Sequence, residues 1–587
     1  MTEGIIKRVN GPIVDAIDMA DAFMLEVVEV GSYRLIGEVI RIRGDLATIQ
    51  VYENTSGLKI YDKVYRTFSP LKVSLGPGLI ANIFDGIQRP LRDIRERSGA
   101  YIKRGEKVTP LNMTKKWHFK PTRKNGEYIT GGFFIGEVPE TVMLTHKIMI
   151  PPDKEGTIKD LVPEGEYTLD DVICTLIDKD NNSHQIKMYQ DWPVRVPRPF
   201  KSHKEMNIPL VTGQRIIDTF FPLAKGGTAA IPGGFGTGKT MIQHALAKWS
   251  DADIIIYIGC GERGNEMTDV LTEFPKLIDP RSGQSLSNLT VMIANTSNMP
   301  VAAREVSIYT GVTIGEYYRD MGYHVAVMAD STSRWAEALR ELGGRLEEMP
   351  AEEGFPAYLP TRLAQFYERA GMVETLSGYD ASVTIGGSVS PPGGDFSEPV
   401  TQHTRRFIRC FWALDRDLAN ARHYPAISWL SSYSEYIPDI EDWWKKYDIE
   451  WKVLRDNAIN ILQREDKLQN IVKLVGPDAL PDSQKLILFI ADIIKNAFLQ
   501  QSAFDENDMY ALPLKQVKML RTIMNIHNKS EALIRKGIPL ITIKELSSIP
   551  PIMRMKFTIS NTQIEKIDEL SDKFNHEIED LERRFAK

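Results

Sequence analysis

Apolar positions in the first 70 residues come in short β-prone runs at 5–9, 37–42 and 47–52, with turns at Asn10-Gly11-Pro12 and Arg43-Gly44-Asp45 between them. Strands this short and closely spaced predict a small barrel over 1–70. The pattern is mixed from 71 to 109, where 79–91 reads as a helix followed by a turn. Between 110 and 191, Gly131, Gly132, Gly136, Gly156 and Gly165 punctuate β-prone runs such as 147–150 and 171–177, which predicts a glycine-rich β insertion. Residues 192–435 alternate apolar runs with amphipathic stretches, as a parallel sheet covered by helices on both faces requires. The strands expected there are 228–231, 254–258, 290–294, 325–329 and 383–385. From 436 to 587 helical periodicity dominates. Its last segment carries an apolar stripe of Ile567, Leu570, Phe574, Ile578, Leu581 and Phe585. Packing inside a helical domain is the ordinary explanation of such a stripe, and contact with a helix of another subunit is the alternative. The fold class that follows is multidomain α/β.

One stretch of the alternating region carries chemistry. Residues 231–240 read Ile-Pro-Gly-Gly-Phe-Gly-Thr-Gly-Lys-Thr, and Gly233, Gly238, Lys239 and Thr240 fit G-x-x-x-x-G-K-[ST]. An apolar run precedes the loop and a helix-forming run, 241–249, follows it, which is the context that the motif demands. A chance glycine-rich turn is the bland alternative, and four fixed positions with both flanks in place argue against it. In such a loop, Gly233, Gly234, Phe235, Gly236, Thr237 and Gly238 turn backbone amides toward phosphate oxygens. The helix beginning at 238–239 places its positive end beneath them. Lys239 would reach the β- and γ-phosphates of ATP, or the β-phosphate of ADP, and the Thr240 hydroxyl would bind Mg²⁺.

Other strand ends supply the remaining chemistry. The run 325–330 ends in Asp330, a Walker-B form able to hold Mg²⁺ through water; strands ending in Asp are common, and the loop gives this one its meaning. The run from 254 ends in Gly261-Glu262-Arg263. A carboxylate at the carboxyl end of a parallel strand faces the ligand side of the sheet, so Glu262 is the candidate for polarising the attacking water. Arg263 would reach a phosphate or pair with Glu262; a solvent-facing Glu-Arg pair at a helix start is the competing explanation. Tyr424 and Phe504 are candidates for stacking on adenine, although spacing alone reads either first as core.

Composition narrows the classes. The chain has 587 residues, enough for about four domains. Hydrophobic content of 42% and charged content of 26% are ordinary for soluble globular protein. A net charge of -6 leaves no basic footprint for nucleic acid or an anionic membrane. Cys174, Cys260 and Cys410 lie too far apart for a metal site and point to a reducing, cytoplasmic compartment. No apolar h-region follows Met1 and no apolar run approaches about 18 residues, so no signal peptide or membrane span is expected. The insertion's rhythm is similar to lipoyl- or biotinyl-carrier domains, which would make Lys147 a modifiable lysine. No tight hairpin frames Lys147, and an ordinary surface lysine is the alternative.

These residues resemble the catalytic A subunits of rotary V/A-type ATPases of the bacterial or archaeal kind. The resemblance runs almost end to end. It is strongest at Thr212-Gly213-Gln214-Arg215, through 259–269, through 294–305, at Asp330-Ser331-Thr332-Ser333-Arg334-Trp335 and at Ser390-Pro391-Pro392-Gly393-Gly394-Asp395. It implies an N-terminal β-barrel over 1–70, a RecA-like P-loop domain over 71–109 and 192–435, an A-specific β insertion over 110–191 and a C-terminal helical bundle over 436–587. It also implies phosphate and Mg²⁺ binding by Lys239 and Thr240, water activation by Glu262, phosphate support by Arg263, and adenine-pocket positions at Tyr424 and Phe504. The family alternates A with B subunits in an A3B3 hexamer whose arginine finger comes from the B neighbour. Central-stalk and peripheral-stalk subunits then couple ATP turnover to H⁺ or Na⁺ movement through a membrane sector, with the catalytic chain cytoplasmic and peripheral to the membrane. Two departures stand out. Gly234 replaces a proline common in A subunits, implying a more mobile loop in the empty site. Thr237 stands where eukaryotic relatives carry a cysteine, so no disulfide switch is expected there.

Two other classes compete. A noncatalytic scaffold resembling B subunits is opposed by the intact loop and Glu262. A nucleic-acid motor similar to the terminator Rho is opposed by the acidic charge and the missing basic, aromatic-rich surface. Secretion-type ATPases are closer in fold and usually lack the long β insertion.

Overall fold

The computed structural model describes residues 3–99, 102–273, 276–278 and 283–585. The chain divides into two compact units, one of Met1–Lys204, Gly226–Thr228 and Ala252–Phe407, the other of Glu205–Lys225, Ala229–Asp251 and Ile408–Lys587.

In the first unit the N-terminal segment closes a six-stranded barrel. Its strands are Glu3–Asn10, Ile13–Ile17, Glu26–Val30, Leu35–Arg43, Leu46–Val51 and Lys63–Pro70. Ile6, Val14, Val28, Val39, Ile49 and Val64 fill the interior. The sequence pattern finds three of these six strands. Glu26–Val30 escapes it because Glu26 occupies a buried alternate position, where an apolar residue is expected. Its carboxylate is instead satisfied by Arg66 (2.9 Å) and by the amides of Phe23 and Phe68.

The β insertion forms two four-stranded sheets. One runs Tyr128–Ile129, Gly156–Lys159, Cys174–Ile177, Ser183–Ile186, and the other Thr145–Met149, Phe134–Pro139, Trp117–Pro121, Gly165–Tyr167. Lys147 is not displayed on a hairpin tip. Its Nζ donates to the Met321 carbonyl (2.9 Å) and lies over the Tyr379 ring, 4.3 Å from the centroid. The lysine is thus a clamp between the insertion and the end of a helix, with burial lowering its pKa.

The parallel strands of this unit are Asp380–Val389, His324–Asp330, Ile254–Glu262, Thr290–Thr296 and Ile83–Phe84, neighbours in that order. Their apolar runs pair in register, with Ile256 opposite both Val291 and Val327. Helix Val301–Asp320 packs on them and is buried from Ala302 to Asp320, which places three carboxylates in the interior. Arg195 pairs with Glu305, Arg369 with Glu316 and Arg198 with Asp320, so each of the three carboxylates has a partner. The helix expected over 79–91 is absent. Ile83–Phe84 is an edge strand, and the Asp85 carboxylate then accepts from the amides of Ile87 and Arg89 to form a turn, with the helix starting only at Leu91 behind Pro90. Gly86 allows this turn to approach the long helix; a Cβ there would meet the Ala303 carbonyl oxygen at 2.1 Å.

In the second unit residues 229–232, the greater part of strand Thr228–Pro232, run parallel to Cys410–Phe411, which pairs antiparallel with Tyr433–Ser434. Helix Lys239–Trp249 follows the glycine loop as expected. The helices Trp451–Val475, Asp482–Ile493, Pro513–Arg535 and Glu565–Phe585 make the C-terminal bundle. On the last of these, Ile567, Phe574, Ile578 and Leu581 are buried against the bundle, whereas Leu570 is half-buried and Phe585 exposed. Among the described residues no helix is long and apolar enough to cross a membrane.

Candidate nucleotide site

The loop geometry follows from its glycines. Gly236 and Gly238 adopt φ of 78° and 91°, the left-handed region that Cβ disfavours. Gly233 leaves no space for a side chain, since a Cβ would stand 2.6 Å from Thr237 Oγ1 and 2.7 Å from Leu414 Cβ. Thr237 is buried and its hydroxyl donates to the Gly234 carbonyl at 2.9 Å, tying the turn across itself. Gly238 is the N-cap of helix Lys239–Trp249 and supplies no side-chain cap, so the helix presents its positive end to the loop. Lys239 Nζ donates to the carbonyls of Gly233 (2.7 Å) and Gly234 (2.9 Å). The ammonium is therefore gathered into the loop it would share with a phosphate. Phe235 projects from the loop, 80% exposed, and Thr240 follows Lys239 in the first helical turn.

Tyr424 stands beside this loop, with its ring Cε1 3.8 Å from where a Cβ on Gly238 would be. The residue is 45% exposed, and its carbonyl accepts from the Gln501 amide at 2.8 Å. That bond brings the segment carrying Phe504 alongside the segment carrying Tyr424. Phe504 is 94% exposed, unlike an aromatic placed for core packing. The second unit thus brings together Gly233–Thr240, Tyr424 and the Phe504 segment.

The first unit holds Glu262, Arg263 and Asp330. Glu262 ends strand Ile254–Glu262, where the pairing register shifts between Cys260 and Glu262. The extra residue of this bulge is Gly261, at φ 74°. A bulge re-aims the side chain that follows it, so Glu262 owes its direction to Gly261. A Cβ at Gly261 would meet Arg334 Cβ at 2.7 Å and Arg304 Nε at 3.1 Å, so two arginines line this strand end. Arg304 Nη2 also donates to the Ser297 carbonyl, and the Ser297 amide donates to the Glu262 carbonyl. Motif spacing singles out neither arginine as a site residue; both lie in the family-like stretches 294–305 and 330–335, which is the only signal the chain offers for them. Arg263 is exposed at the start of helix Gly264–Glu273. Asp330, at the end of strand His324–Asp330, is buried and accepts from Ser388 Oγ (2.5 Å) and Tyr257 Oη (3.3 Å). The three thiols are buried, and burial pushes those of Cys174 and Cys260 up to about 12, so neither is a ready nucleophile.

Comparison with known proteins gives these elements a common source. Residues 213–434 match the nucleotide-binding domain of the ATP synthase alpha/beta family, and 6–67 match that family's beta-barrel domain. Residues 108–195 match the barrel-sandwich domain of ATP synthase alpha/beta chains, and 441–543 the C-terminal domain of V and A type ATP synthase. The V-type ATP synthase alpha chain of Halothermothrix orenii is 58% identical, the match covering 97% of each chain. The A subunit of the A-type ATP synthase of Thermococcus sibiricus is 56% identical over the full length of both. In fold, the ATPase EscN of the enteropathogenic E. coli type III secretion system superposes with a TM-score of 0.63 at 21% identity, covering 89% of this chain and 99% of that one. Identity this high over nearly the whole length places the chain in the ATP synthase alpha/beta family, to which it belongs together with the A subunits and alpha chains of A-type and V-type ATP synthases.

Proposed function

We propose that this chain is the catalytic subunit of a rotary V/A-type ATP synthase, hydrolysing or synthesising ATP in a complex that moves H⁺ or Na⁺ across a membrane. The observation that carries the reading is the glycine loop, with its two left-handed glycines and the Lys239 ammonium drawn onto the carbonyls of Gly233 and Gly234.

In this reading the loop amides and the positive end of helix Lys239–Trp249 bind the β- and γ-phosphates, and Lys239 turns from its own carbonyls to phosphate oxygens. The Thr240 hydroxyl and the Asp330 carboxylate are hard oxygen donors of the kind Mg²⁺ takes, and Asp330 is already oriented by Ser388 and Tyr257. Bound there, the cation would neutralise developing phosphate charge. Glu262 accepts the proton of the attacking water, Arg263 holds phosphate oxygens, and Tyr424 and Phe504 take the adenine between aromatic faces. B subunits alternate with this chain in an A3B3 ring and supply an arginine in trans. Central-stalk and peripheral-stalk subunits hold the ring, peripheral to the membrane, on the cytoplasmic side.

Turnover of the reconstituted ring with Glu262→Gln tests the assignment. Loss of about 10²–10⁴-fold in kcat, with ATP binding retained, is expected for a lost general base. Unchanged turnover would remove Glu262 from the mechanism.

A further inference from the structure

The segment that carries Phe504 has no regular secondary structure, and two buried cations of the second unit fix its shape. The π-helical turn Ile494–Leu499 ends just before Gln500, and carbonyls at its end converge on Lys556 and Arg215. Lys556, on helix Ile549–Thr558, is 2% exposed. Its Nζ donates to the Asn496 carbonyl (2.6 Å), the Gln500 carbonyl (3.0 Å) and Gln500 Oε1 (3.2 Å), which uses all three of its N–H groups. Arg215 is fully buried and donates from Nε to the Phe498 carbonyl, from Nη2 to the Gln500 carbonyl (2.8 Å) and from Nη1 to Asp508 (2.6 Å).

Gln501 carries this order to both aromatics. Its amide donates to the Tyr424 carbonyl, its Oε1 accepts from the Arg215 amide (2.8 Å), and its Nε2 donates to the carbonyls of Gly213 (2.8 Å) and Asp508 (2.7 Å). Asp508 in turn accepts from the Ser502 amide at 2.7 Å. Carbonyls at a helix end are the negative pole of its dipole, and a cation there is stabilised as the helix end is. Burying an ammonium is nonetheless costly, and burial pulls Lys556 down to about 8. A lysine held at that cost, with two of its three bonds to the carbonyl and side chain of Gln500, specifies where the Gln500–Phe504 backbone runs.

We propose that Lys556 is a positioning residue for the nucleotide base: its bonds at the end of the 494–499 turn set the register in which Phe504 and Tyr424 receive an adenine. The inference rests on the assignment of those two rings to the base, and it concerns base affinity alone. The hydrogen bonds of Lys556 go to Asn496 and Gln500 and not to the loop that takes phosphate, so a base-free polyphosphate should not sense it.

The test titrates the full chain with Mg·ATP and with inorganic tripolyphosphate by calorimetry. Lys556→Met is expected to weaken ATP by about tenfold, the scale of one lost base–aromatic stack, and to leave tripolyphosphate within about twofold. Phe504→Ala should show the same selective loss, and Lys556→Met should weaken ATP less in the Phe504→Ala background than it does alone, because only its effect through Tyr424 is left. Equal weakening of both ligands by Lys556→Met would overturn the proposal, because it would mark a general structural role. A selective loss in Phe504→Ala without one in Lys556→Met would overturn it while leaving the aromatic assignment standing. Unchanged ATP affinity in Phe504→Ala would remove the assignment and the proposal together. Should Lys556→Met fail to fold, Lys556→Gln, which keeps an amide donor toward the carbonyls, carries the same comparison with an intermediate selective loss expected.

Discussion

Replacing Lys239 by alanine separates phosphate binding from folding. In the free chain the ammonium donates, among its contacts, to the carbonyls of Gly233 and Gly234 at a partly buried position. A bond from the ammonium to a carbonyl is charge-assisted too, but water competes for the partly exposed ammonium and the two carbonyls can turn to water once it is gone, so the stability loss is about 1–2 kcal/mol. With nucleotide bound, the same ammonium would make charge-assisted bonds to phosphate oxygens, each of about 1.5–3 kcal/mol. Two such bonds, less the two carbonyl bonds given up, leave about 2–4 kcal/mol of binding, or about 30- to 1000-fold in Kd. Calorimetric titration of the full chain with Mg·ADP and Mg·ATP measures this, with circular dichroism confirming unchanged helix content. Affinity of Lys239→Ala within tenfold of the parent would mean that the ammonium does not hold phosphate, since tenfold is only about 1.4 kcal/mol.

Three further outcomes follow from the same contacts. Gly213 sits at φ 70° with a would-be Cβ 1.9 Å from the Tyr510 ring, so Gly213→Ala should cost about 2–5 kcal/mol from strain and overpacking combined; urea unfolding at parental stability would contradict it. Burial pushes the Asp218 carboxyl up to about 6 from an ordinary 3.8, although Thr212, Gly213 and Gln516 all donate to it. A raised folded value favours folding below the unfolded value and is lost as pH rises through the folded one. Stability should therefore fall between about pH 4 and 6 by this group's share, and Asp218→Asn should flatten that slope; an identical slope in the variant would exclude it. Lys147→Met removes the bond to the Met321 carbonyl and the contact with the Tyr379 ring, which should lower stability by about 1–2 kcal/mol and leave ATP turnover of the ring intact; lost turnover at full stability would contradict a clamp role.

What can be read from the chain alone is whatever local spacing encodes. Gly233, Gly238, Lys239 and Thr240 are contiguous or nearly so, and the strand before them and the helix after them announce themselves by apolar period. Asp330 and Glu262 are legible because buried parallel strands are near-continuous apolar runs, which makes the first carboxylate after each conspicuous. The rest depends on partners distant in sequence. Glu26 reads as a solvent-facing residue until Arg66 is found beside it, and its strand escapes the pattern for that reason. The stretch 79–91 has helical composition, but Asp85 closes a turn on its own backbone and Ile83–Phe84 finds a neighbour in Met292–Ile293. The bulge at Gly261 needs a positive φ that any glycine permits and none advertises. Lys556 lies on a helix whose sequence shows only a surface-like lysine, and its three oxygen partners come from another helix end.

The central claim is that the loop from Gly233 to Thr240 receives the phosphates of a nucleoside triphosphate. A structure of the assembled chain with Mg²⁺ and a non-hydrolysable ATP analogue tests it most directly. In it, β- and γ-phosphate oxygens should lie on the amides of the loop, with Lys239 Nζ transferred from the carbonyls of Gly233 and Gly234 to those oxygens. An analogue bound elsewhere, or a Lys239 still held on its own carbonyls beneath a fully occupied nucleotide, would contradict it.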